Sequence, residues 1–157
     1  MRNSTVGQII GIIILFLGLV ILPTYYISLI QWRNDINTAQ VAARNFIDMV
    51  IDSGEIEEGG KAWNDLSLSL ASCYSTMTYT VYKEEKVTNP KYEGGVVVGY
   101  ETSYSYAPFD ATCKFATGDI VTIVIEQTGT NIFQKVARGL LGMYYSNIEV
   151  RLSGMVR

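Results

Sequence analysis

An uninterrupted run of apolar residues dominates the first third of the chain. Residues 9–30 make up a stretch of 22 residues that contains no charged side chain. At ~1.5 Å per residue, a helix of that length matches a hydrocarbon core of ~30 Å. A removable signal peptide is the alternative, but such peptides have shorter apolar stretches, roughly 7–15 residues, and a small-residue cleavage site. The pattern therefore predicts a retained membrane-spanning helix.

The helical pattern continues beyond the apolar run as an amphipathic stripe. Polar residues such as Asp35 and Arg44 fall off this stripe, and Ser53-Gly54 is a helix stop signal. We expect one helix over residues 7–52, roughly 70 Å long. The apolar residues that repeat at intervals of three and four are Ile36, Ala39, Ala43, Phe46, Ile47 and Val50.

In much of the remaining chain, apolar and polar residues alternate with the period of two that is typical of β-strands. A second helix is predicted over residues 61–72, and strands within residues 74–83, 96–106, 119–127 and 147–156. The third strand is apolar on both faces, which predicts a central position in the sheet. Residues 130–142 predict a short helix or a looped insertion. Turn signals lie at Pro90 with Gly94-Gly95, and at Pro108 with Gly118-Asp119.

These elements predict an α+β protein in two parts. Residues 1–53 form a long N-terminal helix, transmembrane and then amphipathic, and residues 54–157 form an α+β globular body outside the cytoplasm. The second half of the helix is expected to pack on a mostly antiparallel sheet of about four strands.

Several residues of the apolar helix are candidates for helix packing. Gly7, Gly11 and Gly18 recur at spacings of four and seven, and small residues on one stripe allow close helix approach in lipid. The alternative is that glycine is simply common in membrane helices. Pro23 removes a backbone hydrogen bond and predicts a weak point in the helix. Tyr25 and Tyr26 follow it directly.

The two cysteines, Cys73 and Cys113, predict a disulfide in the body. It would close a loop of ~40 residues and contribute about 4 kcal/mol in the chain-entropy model. Two buried free thiols are the alternative. A disulfide would place the body outside the cytosol and the N-terminus inside.

Composition argues against catalysis and against nucleic-acid binding. The formal net charge is −3 and histidine is absent, which removes the most common general base and metal ligand. No phosphate-binding glycine loop is present, and two cysteines are too few for a zinc site. We therefore expect no enzyme activity, no cofactor, no metal and no direct nucleic-acid site.

The arrangement resembles the type IV filament superfamily of pilins and pseudopilins. "LVILPTYY" at residues 19–26 is similar to the stretch where pilin helices carry a proline followed closely by a tyrosine. "AQVAARNFIDMVIDSGEI" at 39–56 and "IEVRLSGMVR" at 148–157 are similar to the TadE-like pseudopilins. The chain departs from the pilin pattern in its polar start, where Thr5 stands in place of the usual glutamate.

This resemblance implies a structural role without cofactor or turnover. The chain would lie in the membrane before assembly and then form an extracellular filament with copies of itself or other pilin-like subunits. Pro23 would let the helix loosen locally when a subunit leaves the membrane, and Tyr25 or Tyr26 would take the tyrosine position. The alternative function is a single-pass, membrane-anchored binding or sensor module outside the cytoplasm, present as a monomer or small oligomer.

Overall fold

One continuous helix forms the first third of the protein. The computed structural model describes residues 2–57, 59–109 and 112–157. The helix comprises α1 (Arg2–Phe16), a π-helical segment (Leu17–Ile21) and α2 (Leu22–Ser53). It ends where Gly54 adopts a left-handed conformation (φ 69°) and donates its N–H to the Val50 carbonyl at 2.9 Å. The single long helix and its stop signal are thus confirmed, with the π-helical segment as an addition.

The second half of α2 packs on the body through the predicted stripe. Ala39, Ala43, Phe46, Ile47 and Val50 are all buried in one hydrophobic core, and Ile36 is half-buried. The helix therefore shares its core with the body, because the same apolar cluster includes side chains from the sheet.

The sheet has four antiparallel strands in the order β3-β2-β5-β6, which confirms the predicted α+β class. Strand β5 is internal, as its apolar sequence predicted, and its Val121, Ile123 and Ile125 face the core. A small second sheet pairs β1 with β4. The elements after α2 are β1 (Glu55–Ile56), α3 (Lys61–Ala71), β2 (Met77–Glu93), β3 (Val96–Phe109), β4 (Cys113–Lys114), β5 (Ile120–Gln127), α4 (Ile132–Leu141) and β6 (Glu149–Met155).

Strands β2 and β3 extend beyond the rest of the sheet as a two-stranded ribbon. Strand β2 pairs with β5 only from Met77 to Glu84, whereas its pairing with β3 continues to Glu93. The prediction that Pro90 marks a connection is wrong, because Pro90 lies inside β2 opposite Tyr100. Beyond Glu84 this strand has a neighbour on one side only, so a residue without an N–H is tolerated there.

Pro108 also lies within a strand, β3, rather than in a connection. The turn between β2 and β3 is formed by Gly94 and Gly95, both with positive φ, as their sequence predicted. Gly118 and Asp119 form the predicted turn before β5, with φ 95° at Gly118.

Helix α2 crosses β6 at very close range. A Cβ atom added at Gly154 would lie 2.5 Å from Ile47 Cγ2 and 2.6 Å from Ile51 Cδ1. Because real Cβ atoms do not approach carbon atoms this closely, only glycine fits at this point of the strand. Gly154 therefore sets how near the helix lies to the sheet.

Candidate functional site: the apolar helix and its junction with the body

Helix α1 presents an apolar surface that no other described residue covers. The helix from Thr5 to Ser53 has 49 residues and contains an 18-residue window with a mean hydropathy of 2.7. No part of that window is buried within the protein, so the helix is long and apolar enough to cross a membrane. Large exposed side chains along it include Ile9, Ile12, Ile14, Leu15, Leu19, Leu22 and Ile27.

The π-helical segment ends at Ile21, two residues before Pro23. The Leu22 N–H donates to the Leu17 carbonyl five residues earlier, which is the π-helical pattern. Pro23 has no N–H to continue the hydrogen bonding, and its ring would clash with the carbonyl four residues back in a regular α-helix. The wider π turn gives the ring room, and Thr24 Oγ1 donates to the Val20 carbonyl at 2.7 Å. The predicted weak point is therefore a local change of helix type, and the helix is not broken.

The three glycines lie along the uncovered part of the helix. Gly7 and Gly11 are in α1, and Gly18 is inside the π-helical segment. A Cβ atom added at any of the three would meet no other atom within 4 Å. Within the described residues, nothing packs closely against these three glycines, and close packing with another helix stays a prediction.

The two tyrosines after Pro23 have different surroundings. Tyr26 is exposed, whereas Tyr25 is half-buried with its ring centroid 5.4 Å from that of Phe133 on α4. Trp32 stacks on Phe133 from the other side at 5.2 Å, and Tyr145 meets both rings, at 5.5 Å from Trp32 and 4.7 Å from Phe133. This aromatic cluster joins α4 to α2 at the end of the apolar stretch.

Asp35 is a buried residue that the sequence pattern misplaced. It falls off the apolar stripe, yet it is only 2 % exposed. Its two carboxylate oxygens accept hydrogen bonds from the backbone N–H groups of Tyr74 and Ser75, each at 2.9 Å. Asp35 therefore ties the chain between α3 and β2 to the long helix. It also lines a cavity of about 260 Å³ between α2, the start of β2 and α4, which Lys135 lines as well.

The predicted disulfide between Cys73 and Cys113 is not formed: both are free thiols. Cys73 lies beside Asp35, whose charge adds to the effect of burial in raising the pKa of the thiol to about 11. Cys113 pairs with Ile56, just after the end of α2. The part of α2 from Asp35 to Ser53 is roughly 27 Å long, whereas a disulfide needs Cα atoms within ~7 Å.

A buried charge cluster fixes the turn before β5. Asp119 accepts hydrogen bonds from the backbone N–H groups of Lys86 (3.0 Å) and Ala116 (2.9 Å), and its carboxylate lies 3.4 Å from Lys83 Nζ. Burial alone raises the pKa of Asp119, but the two N–H donors and the Lys83 ammonium outweigh it and lower that pKa. Asp119 thus holds two backbone N–H groups in place, those of Lys86 and Ala116, which is a structural role.

No protein-family model, curated protein or solved structure matches this chain.

Proposed function

We propose that this chain is a structural subunit of an extracellular type IV pilus-like filament or of the machine that assembles it. Its apolar helix would lie in the cytoplasmic membrane with the body outside, and would then form the filament core. The observation that supports this most is that one helix carries both the membrane-length surface and the core of the body, with no linker between them.

The absence of a linker in the helix fixes the body relative to the apolar surface. Ala39, Phe46 and Val50 are fully buried against the sheet, so the body cannot swing about α2 without opening its own core. A filament needs this property, because each body must sit at one radius and angle while the apolar helices bundle at the centre. Burial of a few hundred Å² per helix at ~25 cal/mol/Å² gives several kcal/mol for each neighbour, before the costs of ordering.

The π-helical segment suits a helix that changes surroundings. Compared with a regular α-helical turn, the π turn contains one extra residue. The surface of α1 is therefore rotated by about 100° about the helix axis, relative to α2 and the body, from where a regular α-helix would place it. If the segment returned to a regular α-helix, or loosened locally at Pro23, α1 would rotate about the helix axis relative to the body. Its apolar surface, which includes Gly7 and Gly11, would rotate with it. Pro23 thus supports the proposal as the site where the lipid-facing helix adjusts to its filament neighbours.

A single-pass, membrane-anchored binding module is the second candidate. The cavity beside Asp35 favours it, because a buried carboxylate and the Lys135 ammonium there are suited to a small polar ligand. Under this function the chain would stay in the membrane as a monomer or small oligomer.

Replacement of Pro23 separates the two functions. We expect Pro23→Ala to lower the yield of sheared filaments, because without proline the helix would resist the local loosening that lets α1 adjust to its filament neighbours. Leu22→Met is the matched control, since it keeps an apolar side chain of similar size at this 63 % exposed position as well as the backbone N–H. Both variants should reach the membrane in equal amounts. Equal filament yields for the two variants would contradict the role assigned to Pro23.

A further inference from the structure

Helix α4 lies at the level where the apolar helix leaves the membrane. Its Phe133 contacts Tyr25 and Trp32, which are two turns and about 10 Å apart along α2. The midpoint between them is Ser28, close to the end of the apolar stretch at Ile30. If residues 9–30 cross the bilayer, α4 is at the boundary between hydrocarbon and headgroups.

Helix α4 and the turn after it expose an unusual amount of apolar surface. Phe133 and Ala137 face inward and are buried, but five large side chains around them are about half exposed or more. These five residues, which we name the α4 surface, are Ile132 (62 %), Leu140 (51 %), Leu141 (51 %), Met143 (49 %) and Tyr144 (77 %). Ile27 and Ile30 of α2, which lie between Tyr25 and Trp32 in the sequence, are exposed as well.

The charges on α4 and in the turn after it are of one sign. Residues 127–148 contain Lys135 and Arg138 and no carboxylate, in a chain with a net charge of −3. Both cations are exposed, and the Arg138 guanidinium carbon lies 5.0 Å from the centre of the Tyr144 ring. Cations beside exposed apolar side chains match a membrane surface with anionic headgroups. Tyrosine and tryptophan at the same level, here Tyr26, Trp32 and Tyr144, are typical of the membrane–water boundary.

A buried amide holds α4 in this position. Gln134 is 4 % exposed, and its Oε1 accepts hydrogen bonds from the Asn131 N–H (2.9 Å) and from Gln127 Nε2 (2.7 Å). Its Nε2 donates to the Ser146 carbonyl at 3.0 Å. Asn131 caps the helix in return by accepting from the Gln134 N–H at 2.9 Å. The first turn of α4 is therefore held to β5 through Gln127 and to the segment before β6 through Ser146.

We propose that α4 is a membrane-surface helix that binds anionic lipid on the side of the bilayer where the body lies. The α4 surface enters the boundary of the hydrocarbon, and Lys135 and Arg138 contact phosphate-bearing headgroups. The body is thereby held at one depth and tilt by two contacts, the spanning helix and α4. This inference rests on membrane insertion of the helix, which is part of the proposed function, but it does not require a filament.

The test measures the depth of α4 in the full chain, reconstituted in vesicles of phosphatidylcholine with or without phosphatidylglycerol. An environment-sensitive fluorophore is attached at Leu140→Cys in a chain whose native cysteines are replaced by serine. Lipids carrying a nitroxide near the headgroup quench labels at the boundary, and those with a nitroxide near the acyl-chain end quench labels at the bilayer centre. The matched control is Leu68→Cys on α3, a leucine that is 71 % exposed but lies beside the other half of α2.

We expect the headgroup-proximal nitroxide to quench the label at residue 140 several-fold more than the label at residue 68. Quenching at 140 should increase when phosphatidylglycerol is present. In Lys135→Gln/Arg138→Gln, the ratio of lipid-bound to free α4 should fall by about fivefold for each cation removed. Equal quenching of the labels at residues 140 and 68 would overturn the inference. It would also be overturned if neither nitroxide quenched the label at residue 140 because another copy of the chain covers it.

Two further measurements separate this inference from the proposed function. A label at Ile14→Cys should be quenched by the acyl-chain-end nitroxide; if it is not, membrane insertion itself fails and the inference fails with it. If Ile14→Cys is quenched and Leu140→Cys is not, the inference about α4 alone is overturned. Hydrogen exchange of the unmodified chain in the same lipids needs no substitution, and it should show slower exchange at residues 136–144 when phosphatidylglycerol is present.

Discussion

Gly154→Ala tests the close crossing of α2 over β6. The added methyl group would lie 2.5 Å from Ile47 Cγ2 and 2.6 Å from Ile51 Cδ1, whereas carbon atoms prefer about 3.5–4.0 Å. Ile51 is half-buried and its Cδ1 is the end of a flexible side chain, so this atom can move. Ile47 is 3 % exposed and its Cγ2 is fixed at a branched Cβ within a helix, so this atom cannot move without the backbone.

The size of the effect follows from two opposing terms. Overpacking a well-packed core costs about 1–3 kcal/mol, because side chains or backbone must shift. Replacing glycine by alanine also stabilises by about 0.4–1 kcal/mol, since the unfolded chain has less freedom to lose. We therefore expect Gly154→Ala to lower the free energy of unfolding by about 1–2 kcal/mol.

Urea unfolding of the full chain in detergent, in a Trp32→Phe background so that Trp63 is the sole tryptophan, measures this effect by fluorescence. The Trp63 ring lies 5.1 Å from that of Phe46 in the core, so its emission reports on helix–sheet packing. The control is Gly139→Ala in α4, where an added Cβ meets nothing within 4 Å and stability should stay equal or rise by up to about 1 kcal/mol.

The cost of Gly154→Ala should largely disappear in an Ile47→Ala background, because the rigid contact is then gone. A Gly154→Ala chain as stable as the native chain would refute the close crossing. So would an equal cost in both backgrounds, since the loss would then not come from Ile47.

Three further predictions concern the body. Asp35→Ala should lower the free energy of unfolding by about 2–3 kcal/mol, because the backbone N–H groups of Tyr74 and Ser75 lose a charged acceptor. Asp35→Asn keeps one acceptor oxygen and should lower it by less. Equal losses for the two variants in urea unfolding would contradict this role of the carboxylate. The pKa of Asp119 is lowered in the fold, so its stabilisation is present above the ordinary value of 3.8 and lost as pH falls below it. The difference in free energy of unfolding between the native chain and Asp119→Asn should thus become smaller as the pH falls below 3.8. A difference that does not change with pH would exclude a stabilising role of the Asp119 charge. In hydrogen exchange, amides in the ribbon at residues 85–105 should exchange before those of β5, and equal protection would show that the ribbon is held elsewhere.

The sequence was informative where one physical signal dominates. The apolar run and the stripe of Ala39, Ala43, Phe46 and Val50 predicted the long helix and its buried face, because helix periodicity follows directly from burial. The two-sided apolar pattern of residues 119–127 predicted the internal strand for the same reason. Both predictions are confirmed in the structure.

Other features depend on contacts between distant residues and left no local pattern. Asp35 was expected on the polar side, but it is buried because the N–H groups of Tyr74 and Ser75, forty residues later, need an acceptor. Pro90 was predicted to lie in a turn. It lies within β2, at a position where β2 pairs with β3 but not with β5, and the sequence alone does not show that one edge of β2 is unpaired there. The disulfide was predicted because a body tethered to a membrane helix was expected to lie outside the cytosol, but Cys73 and Cys113 lie near opposite ends of the buried part of α2.

The π-helical segment was predicted only in part. Pro23 indicated a weak point, but the type of helix that accommodates it depends on how the preceding turn widens and on the Thr24 hydroxyl. The α4 surface was not predicted at all, since its sequence gave only a short helix. Its exposed leucines become informative once Phe133 is seen to dock beside Tyr25.

Electron microscopy of material sheared from cells that express this chain tests the central proposal most directly. The proposal predicts thin, regular filaments composed of this chain, in which a cysteine introduced at Ile14 is inaccessible to a bulky maleimide because the apolar helices form the core. If the sheared fraction contains no filaments and the chain stays in the membrane fraction as a monomer or dimer, the filament function is contradicted and the anchored module takes its place.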